Sequence, residues 1–164
     1  MLNFAYGSNM PVRRIQARDR VPGARLIGTG RLAGYRLTWH KRSQDGSGKC
    51  NIVPAKGSVV HGVLYDIPES EKPALDRAEG LGHGYEEQTV IVETEGGARE
   101  ALAYVATDID EGLRPYTWYK AFVVAGAREH DLPPDYVAAL ETCEATEDPD
   151  RSRHRKNMEI VFSK

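Results

Sequence analysis

Two stretches of this chain carry residue types that could do chemistry. The first is Asn3-Phe4-Ala5-Tyr6-Gly7-Ser8-Asn9-Met10. Leu2, Phe4 and Tyr6 alternate with smaller residues as a short strand does, Gly7-Ser8-Asn9 is turn chemistry, and Pro11 onward reads as a helix. Gly7 admits backbone angles that a Cβ resists. Asn9 suits an N-cap, and Pro11 suits a first helical turn that needs no N–H. A strand that turns tightly into a helix leaves several N–H groups unpaired, which makes a small positive site for a carboxylate, a phosphate or a developing oxyanion. The same residues also describe an ordinary capped corner. The second stretch ends at Glu79. Pro68-Glu69-Ser70-Glu71 opens a helix running to about Glu79, and Gly80 stops it. A negative side chain at a helix C-terminus opposes the macrodipole, and local conflicts of that kind collect at functional sites. Read by itself, Glu79 is equally an exposed acid in a frayed last turn.

Composition narrows the setting for these groups. A chain of 164 residues is one domain by length and can bury a substantial core. A net charge of -2 gives no bulk electrostatic reason for a nucleic-acid or acidic partner. No apolar run is long enough to span a membrane, and the N-terminus lacks the layout of a signal peptide, so a cytoplasmic protein is expected. Cys50 and Cys143 stand far apart with no metal-ligand spacing, and free thiols are expected. His40, His61, His83, His130 and His154 form no i, i+4 pair, so no metal site is expected.

The rest of the chain must position the two stretches. Val12 and Ile15 among Arg13, Arg14, Arg18 and Arg20 predict a short amphipathic helix with a solvated basic face. Residues 24–32 and 35–42 read as two strands joined at Gly34, with Leu26, Leu32, Leu37 and Trp39 inward. Residues 43–48 form a polar, glycine-containing loop, expected to be mobile. Residues 50–53 form a short strand stopped by Pro54, in which Asn51 is open between cavity and backbone. Val59 to Ile67 is apolar on both faces and reads as a central strand. Leu75 and Ala78 would pack inward from the helix that ends at Glu79. Residues 87–94 and 99–107 form a hairpin with Gly96-Gly97 at its tip. A helix from about 117 to 130 turns Phe122, Val123 and Ala127 inward, and another follows Pro134 to about Cys143 with Val137 and Leu140 inward. Residues 144–164 read as a loose charged tail after a domain spanning 1–143. About seven strands and three or four helices, in an order unlike a βαβ series, predict a mixed α/β fold: a small curled or barrel-like mixed sheet with peripheral helices.

Phe4-Ala5-Tyr6-Gly7-Ser8-Asn9 resembles the N-terminal motif of the gamma-glutamylcyclotransferase family. The likeness continues through Gly62-Val63-Leu64-Tyr65, Leu75-Asp76-Arg77-Ala78-Glu79-Gly80 with Tyr85 after it, Tyr119-Lys120, and Gly126-Ala127-Arg128-Glu129-His130. It covers residues 3 to 141 or so and implies the family's compact α/β barrel-like fold. It implies that a gamma-glutamyl amino acid or amine cyclises to 5-oxoproline and releases its amine, with no cofactor or metal. Glu79 would then be the catalytic general acid/base. Asn3, Phe4, Ala5, Tyr6, Gly7, Ser8, Tyr85 and Tyr119 would contact the substrate, with the amides around Gly7 and Ser8 holding the oxyanion. The likeness also implies a small-molecule substrate, no nucleic-acid or membrane partner, and a homodimer. Two alternatives keep part of this machinery. One is a gamma-glutamylamine or antibiotic-pathway aminocyclotransferase, and the other is a non-catalytic binder of a small carboxylate.

Overall fold

The computed structural model describes residues 1–163. Its elements, in chain order, are β1 (Leu2–Ala5), α1 (Val12–Ile15), β2 (Arg25–Arg42), β3 (Gly48–Asp66), α2 (Lys72–Glu79, entered through a 3-10 turn at Glu69–Glu71), β4 (Tyr85–Thr94), β5 (Gly97–Ala106), α3 (Thr117–Glu129), α4 (Pro134–Glu141) and α5 (Arg151–Phe162). The strands close into a barrel in the order β1-β3-β2-β4-β5. All neighbours are antiparallel except β1 and β5, which meet in parallel at Asn3 and Leu102. The mixed α/β barrel expected from the sequence is the fold observed.

The strand count differs from expectation. The two strands on either side of Gly34 are one, β2, and the two on either side of Pro54 are one, β3. Gly34 takes φ +80 with open space around it, so the ladder shifts register there without breaking. Pairing jumps from Ala33↔Val59 to Tyr35↔Pro54, leaving residues 55–58 of β3 without a partner on β2. Pro54 lacks an N–H, and its place beside that irregularity spares the ladder a donor. Val60, Val63, Leu64, Tyr65 and Ile67 are fully buried, as a strand between β1 and β2 requires. Leu26 and Ala78, expected inside, are exposed. The loop at residues 43–47 is braced: Asp45 accepts from Ser47 and Lys49, and Tyr116 Oη donates to the Asp45 carbonyl at 2.7 Å.

Helix α3 sets Trp118, Phe122, Val123 and Ala127 into the core. A Cβ on Gly126 would come within 2.5 Å of the Met10 Cβ and 2.9 Å of the Pro11 nitrogen. The bare glycine therefore lets α3 press against the corner after β1. Beyond α4, the chain expected to trail as a loose tail holds α5, packed on α3. Its anchor is Asp148, buried, which accepts from Trp118 Nε1 at 2.8 Å and from two nitrogens of Arg153 at 2.6 Å. Those bonds hold its carboxyl well below the usual carboxylate range, with Arg153 the largest cause.

Candidate active site

The nine residues singled out in the sequence line one cavity. Asn3, Phe4, Ala5, Tyr6, Gly7, Ser8, Glu79, Tyr85 and Tyr119 share it with Asn9, Cys50 and Tyr104. The cavity is tight, with a volume of about 40 Å³. Strand β1 brings Asn3, Phe4 and Ala5, the turn after it brings Tyr6, Gly7 and Ser8, and the C-terminal end of α2 brings Glu79. Tyr85 comes from the start of β4 and Tyr119 from the first turn of α3.

The corner at Gly7 differs from its sequence reading in two ways. Asn9 does not cap α1, whose N-cap is Pro11 with no side-chain bond. Gly7 does not lie in the left-handed region; its need is space. A Cβ there would meet Cys50 Cβ at 3.1 Å and Tyr119 Oη at 3.2 Å. Among the described residues, the N–H groups of Gly7, Ser8 and Asn9 donate to no protein acceptor, while Met10 N–H closes the turn on the Gly7 carbonyl at 3.1 Å. Three consecutive backbone donors are therefore free beside the cavity. The turn is held from behind, where the Met10 carbonyl accepts from Tyr65 Oη at 2.5 Å and lies 2.9 Å from His130 Nε2.

Glu79 is part-buried and faces the corner across the cavity. Asn9 Nδ2 donates to Glu79 Oε1, and Arg20 Nη1 donates to Asn9 Oδ1 at 3.0 Å. Burial pushes the Glu79 carboxyl above the ordinary range, and Arg20, Arg14 and Lys41 act against it, in that order. Among the described residues no cation lies within ion-pair distance of it, so the carboxylate keeps its basicity. The basic face of α1 and the turn after it is thus only partly solvated. Arg13 and Arg18 are exposed, while Arg14 lies over the Phe122 ring, and both Arg14 and Arg20 turn toward the acid. Burial lowers the Arg14 pKa to about 10.

Tyrosine hydroxyls furnish the remaining polar lining. Tyr6 Oη donates to the Tyr104 carbonyl, and Tyr85 Oη donates to the Cys50 carbonyl at 2.6 Å. Tyr104 Oη donates to Asp76 Oδ1 at 2.7 Å. Tyr119 Oη accepts the Cys50 N–H at 3.0 Å. Burial raises all four phenols, so they stay neutral donors. Asn3 lines the cavity, yet its amide donates to the Leu102 carbonyl at 3.2 Å, across the β1–β5 seam. Asn51, left open in the sequence, accepts from the Ala106 N–H at 2.8 Å. Cys50 and Cys143 are free, as expected, and burial raises the Cys50 thiol far from a nucleophile's range.

Sequence reasoning did not find Arg20, Lys41, Cys50 or Tyr104 at the site, and saw Arg14 as solvated. Their positions follow from barrel closure, and no local spacing announces them.

A family model described as the AIG2-like family matches residues 59–140. Gamma-glutamylcyclotransferase from Bos taurus is 31% identical over 156 residues, covering 87% of this chain and 78% of the bovine protein. The Homo sapiens gamma-glutamylcyclotransferase is 31% identical over 159 residues, with the same coverage. The chain belongs to the gamma-glutamylcyclotransferase, or AIG2-like, family. A solved gamma-glutamyl cyclotransferase structure superposes with a TM-score of 0.88 at 28% identity, covering 98% of this chain and 97% of its own. The family's fold therefore extends through α5, beyond the segment that the family model matches. Among the described residues no helix is long and apolar enough to cross a membrane.

Proposed function

We propose that this protein cyclises a gamma-glutamyl compound to 5-oxoproline and releases the amine. The observation that carries the reading is one cavity with three free backbone N–H groups on one wall and an elevated carboxylate on the other. Family membership supports it. The substrate's α-ammonium gives a proton to the Glu79 carboxylate. The freed amine attacks the γ-carbonyl carbon, forming a C–N bond and a tetrahedral oxyanion. The N–H groups of Gly7 and Ser8 receive that oxyanion, and a donor fixed in this way is typically worth about 2.7–4 kcal/mol. Glu79 then returns the proton to the departing nitrogen as its C–N bond breaks, and the second proton of the ring nitrogen passes through the same carboxylate to the released amine, which leaves as an ammonium. One carboxylate serves both transfers, and no redox change occurs. Tyr6, Tyr85 and Tyr119 wall the cavity and hold the glutamyl chain curled so that its two ends meet.

The test incubates the protein with gamma-glutamyl dipeptides and gamma-glutamylamines and measures 5-oxoproline. Wild type is expected to turn over members of the panel, with Glu79→Gln slower by about 100- to 10,000-fold. Full activity in Glu79→Gln removes the acid/base assignment, and no turnover of any member removes the reading as a whole.

A further inference from the structure

Two of the sequence stretches singled out above end on residues that the mechanism does not use: Gly62-Val63-Leu64-Tyr65 and Gly126-Ala127-Arg128-Glu129-His130. Both converge on one atom, the Met10 carbonyl oxygen. Tyr65 Oη donates to it at 2.5 Å from β3, and His130 Nε2 lies 2.9 Å from it at the C-cap of α3. Tyr65 is fully buried, and burial raises its phenol, so it stays a neutral donor. His130 Nε2 must carry a proton, since a bare ring nitrogen would set its lone pair against those of the carbonyl oxygen at that distance. Both lone pairs of the Met10 oxygen are then occupied. Helix α3 grips the following residues as well. Its Gly126 leaves room for Met10 and Pro11, and Glu129 Oε1 accepts the Val12 N–H at 3.2 Å.

Among the described residues, the Met10 oxygen is the one backbone atom from Gly7 to Met10 that bonds a group outside the turn. What is fixed at Met10 passes on to the free donors. Met10 N–H holds the Gly7 carbonyl at 3.1 Å, and that carbonyl shares a planar peptide group with the Ser8 N–H. Resting on the cyclotransferase reading above, we propose that Tyr65 and His130 are positioning residues, which aim the Ser8 N–H at the oxyanion by fixing Met10 from behind. Neither lines the cavity, so neither touches the substrate. A donor stabilises a developing oxyanion only where its peptide plane is already held, and a misplacement of about 1 Å costs about 100-fold in rate.

The experiment compares kcat/KM for the best gamma-glutamyl substrate of the panel with that for the same compound carrying sulfur in place of its γ-carbonyl oxygen. Sulfur accepts hydrogen bonds poorly, so the oxygen-to-sulfur ratio reads the aim of the oxyanion donors. Because the ratio is internal to one protein, partial loss of folded enzyme cancels from it. Tyr65→Phe and His130→Leu should each lower it by about 10-fold, the upper end for one neutral hydrogen bond. The double variant should lower it by about 100-fold. For the oxygen compound kcat should fall in parallel while KM, set by cavity walls that neither residue joins, holds. His130→Gln, whose amide nitrogen falls near the place of Nε2, should keep most of the ratio. A ratio and kcat unchanged in Tyr65→Phe and His130→Leu overturn this inference and leave the cyclotransferase reading standing, and so does an equal loss in His130→Gln and His130→Leu. Wild type gives a check that needs no variant: heteronuclear NMR of the His130 ring should find Nε2 protonated, and a bare Nε2 overturns the inference. Failure of wild type to turn over any gamma-glutamyl substrate overturns both.

Discussion

The side-chain amide of Asn9 donates to Oε1 of Glu79, joining the corner after β1 to the end of α2 across 70 residues of chain. The bond gives the carboxylate one fixed orientation, and Arg20 fixes Asn9 in turn through its amide oxygen. Asn9→Ala should therefore lower kcat by about 10- to 100-fold, the cost of a lost bond to a charged group. KM should move less, and thermal unfolding should show that the variant is folded. An unchanged kcat would mean that Glu79 needs no orienting partner.

The pH profile carries a sign. A general base works as the carboxylate, so kcat/KM should be present above the Glu79 pKa and lost as pH falls through it. Burial places that limb above the ordinary carboxylate range. Arg20 is the largest of the opposing causes, so Arg20→Gln should move the acid limb to higher pH. A limb that moves to lower pH, or that sits where a free Glu titrates, contradicts the arrangement described here.

Gly7 tests whether the corner needs room or torsional freedom. Its backbone lies outside the left-handed region, and the neighbours of an added methyl are Cys50 and Tyr119 at 3.1 and 3.2 Å. Gly7→Ala should fold, with its melting temperature lowered modestly, and should lose activity through displacement of Tyr119. Gly7→Val should lose far more, since overpacking of this kind costs about 1–3 kcal/mol. Comparison of the two by thermal melting and 5-oxoproline release separates these effects.

Asp148 should matter for stability and not for chemistry. Asp148→Ala strands the Trp118 N–H and the Arg153 guanidinium, a loss of about 1–3 kcal/mol. Because the carboxyl is held below its ordinary value, its contribution is present above the unfolded pKa and disappears as pH falls through the folded one. Denaturant unfolding of wild type and variant should converge at strongly acidic pH and separate near neutrality.

Much of this molecule is legible in its sequence, because local backbone chemistry reaches only a few residues. The corner after β1, the helix stopped by Gly80 in the left-handed region, and the β4–β5 hairpin, which turns at Glu95-Gly96 one residue before the expected tip, are set by turn residues, glycine and apolar periodicity. Glu79 stands out in the sequence as an acid at the wrong end of a helix. The family motifs then connect it to the corner. Gly34 and Pro54 read as strand ends, since each opposes regular pairing, yet β2 and β3 run through them by shifting register. Only the closed barrel reveals that a partner strand can absorb such a break. The same holds for the charges around Glu79. Arg14 and Arg20 share a spacing with the exposed Arg13 and Arg18, and Lys41 lies within an apparently ordinary strand. Which of these cations turn inward depends on where barrel closure sets Glu79, an acid dozens of residues away, and no local pattern encodes that distance.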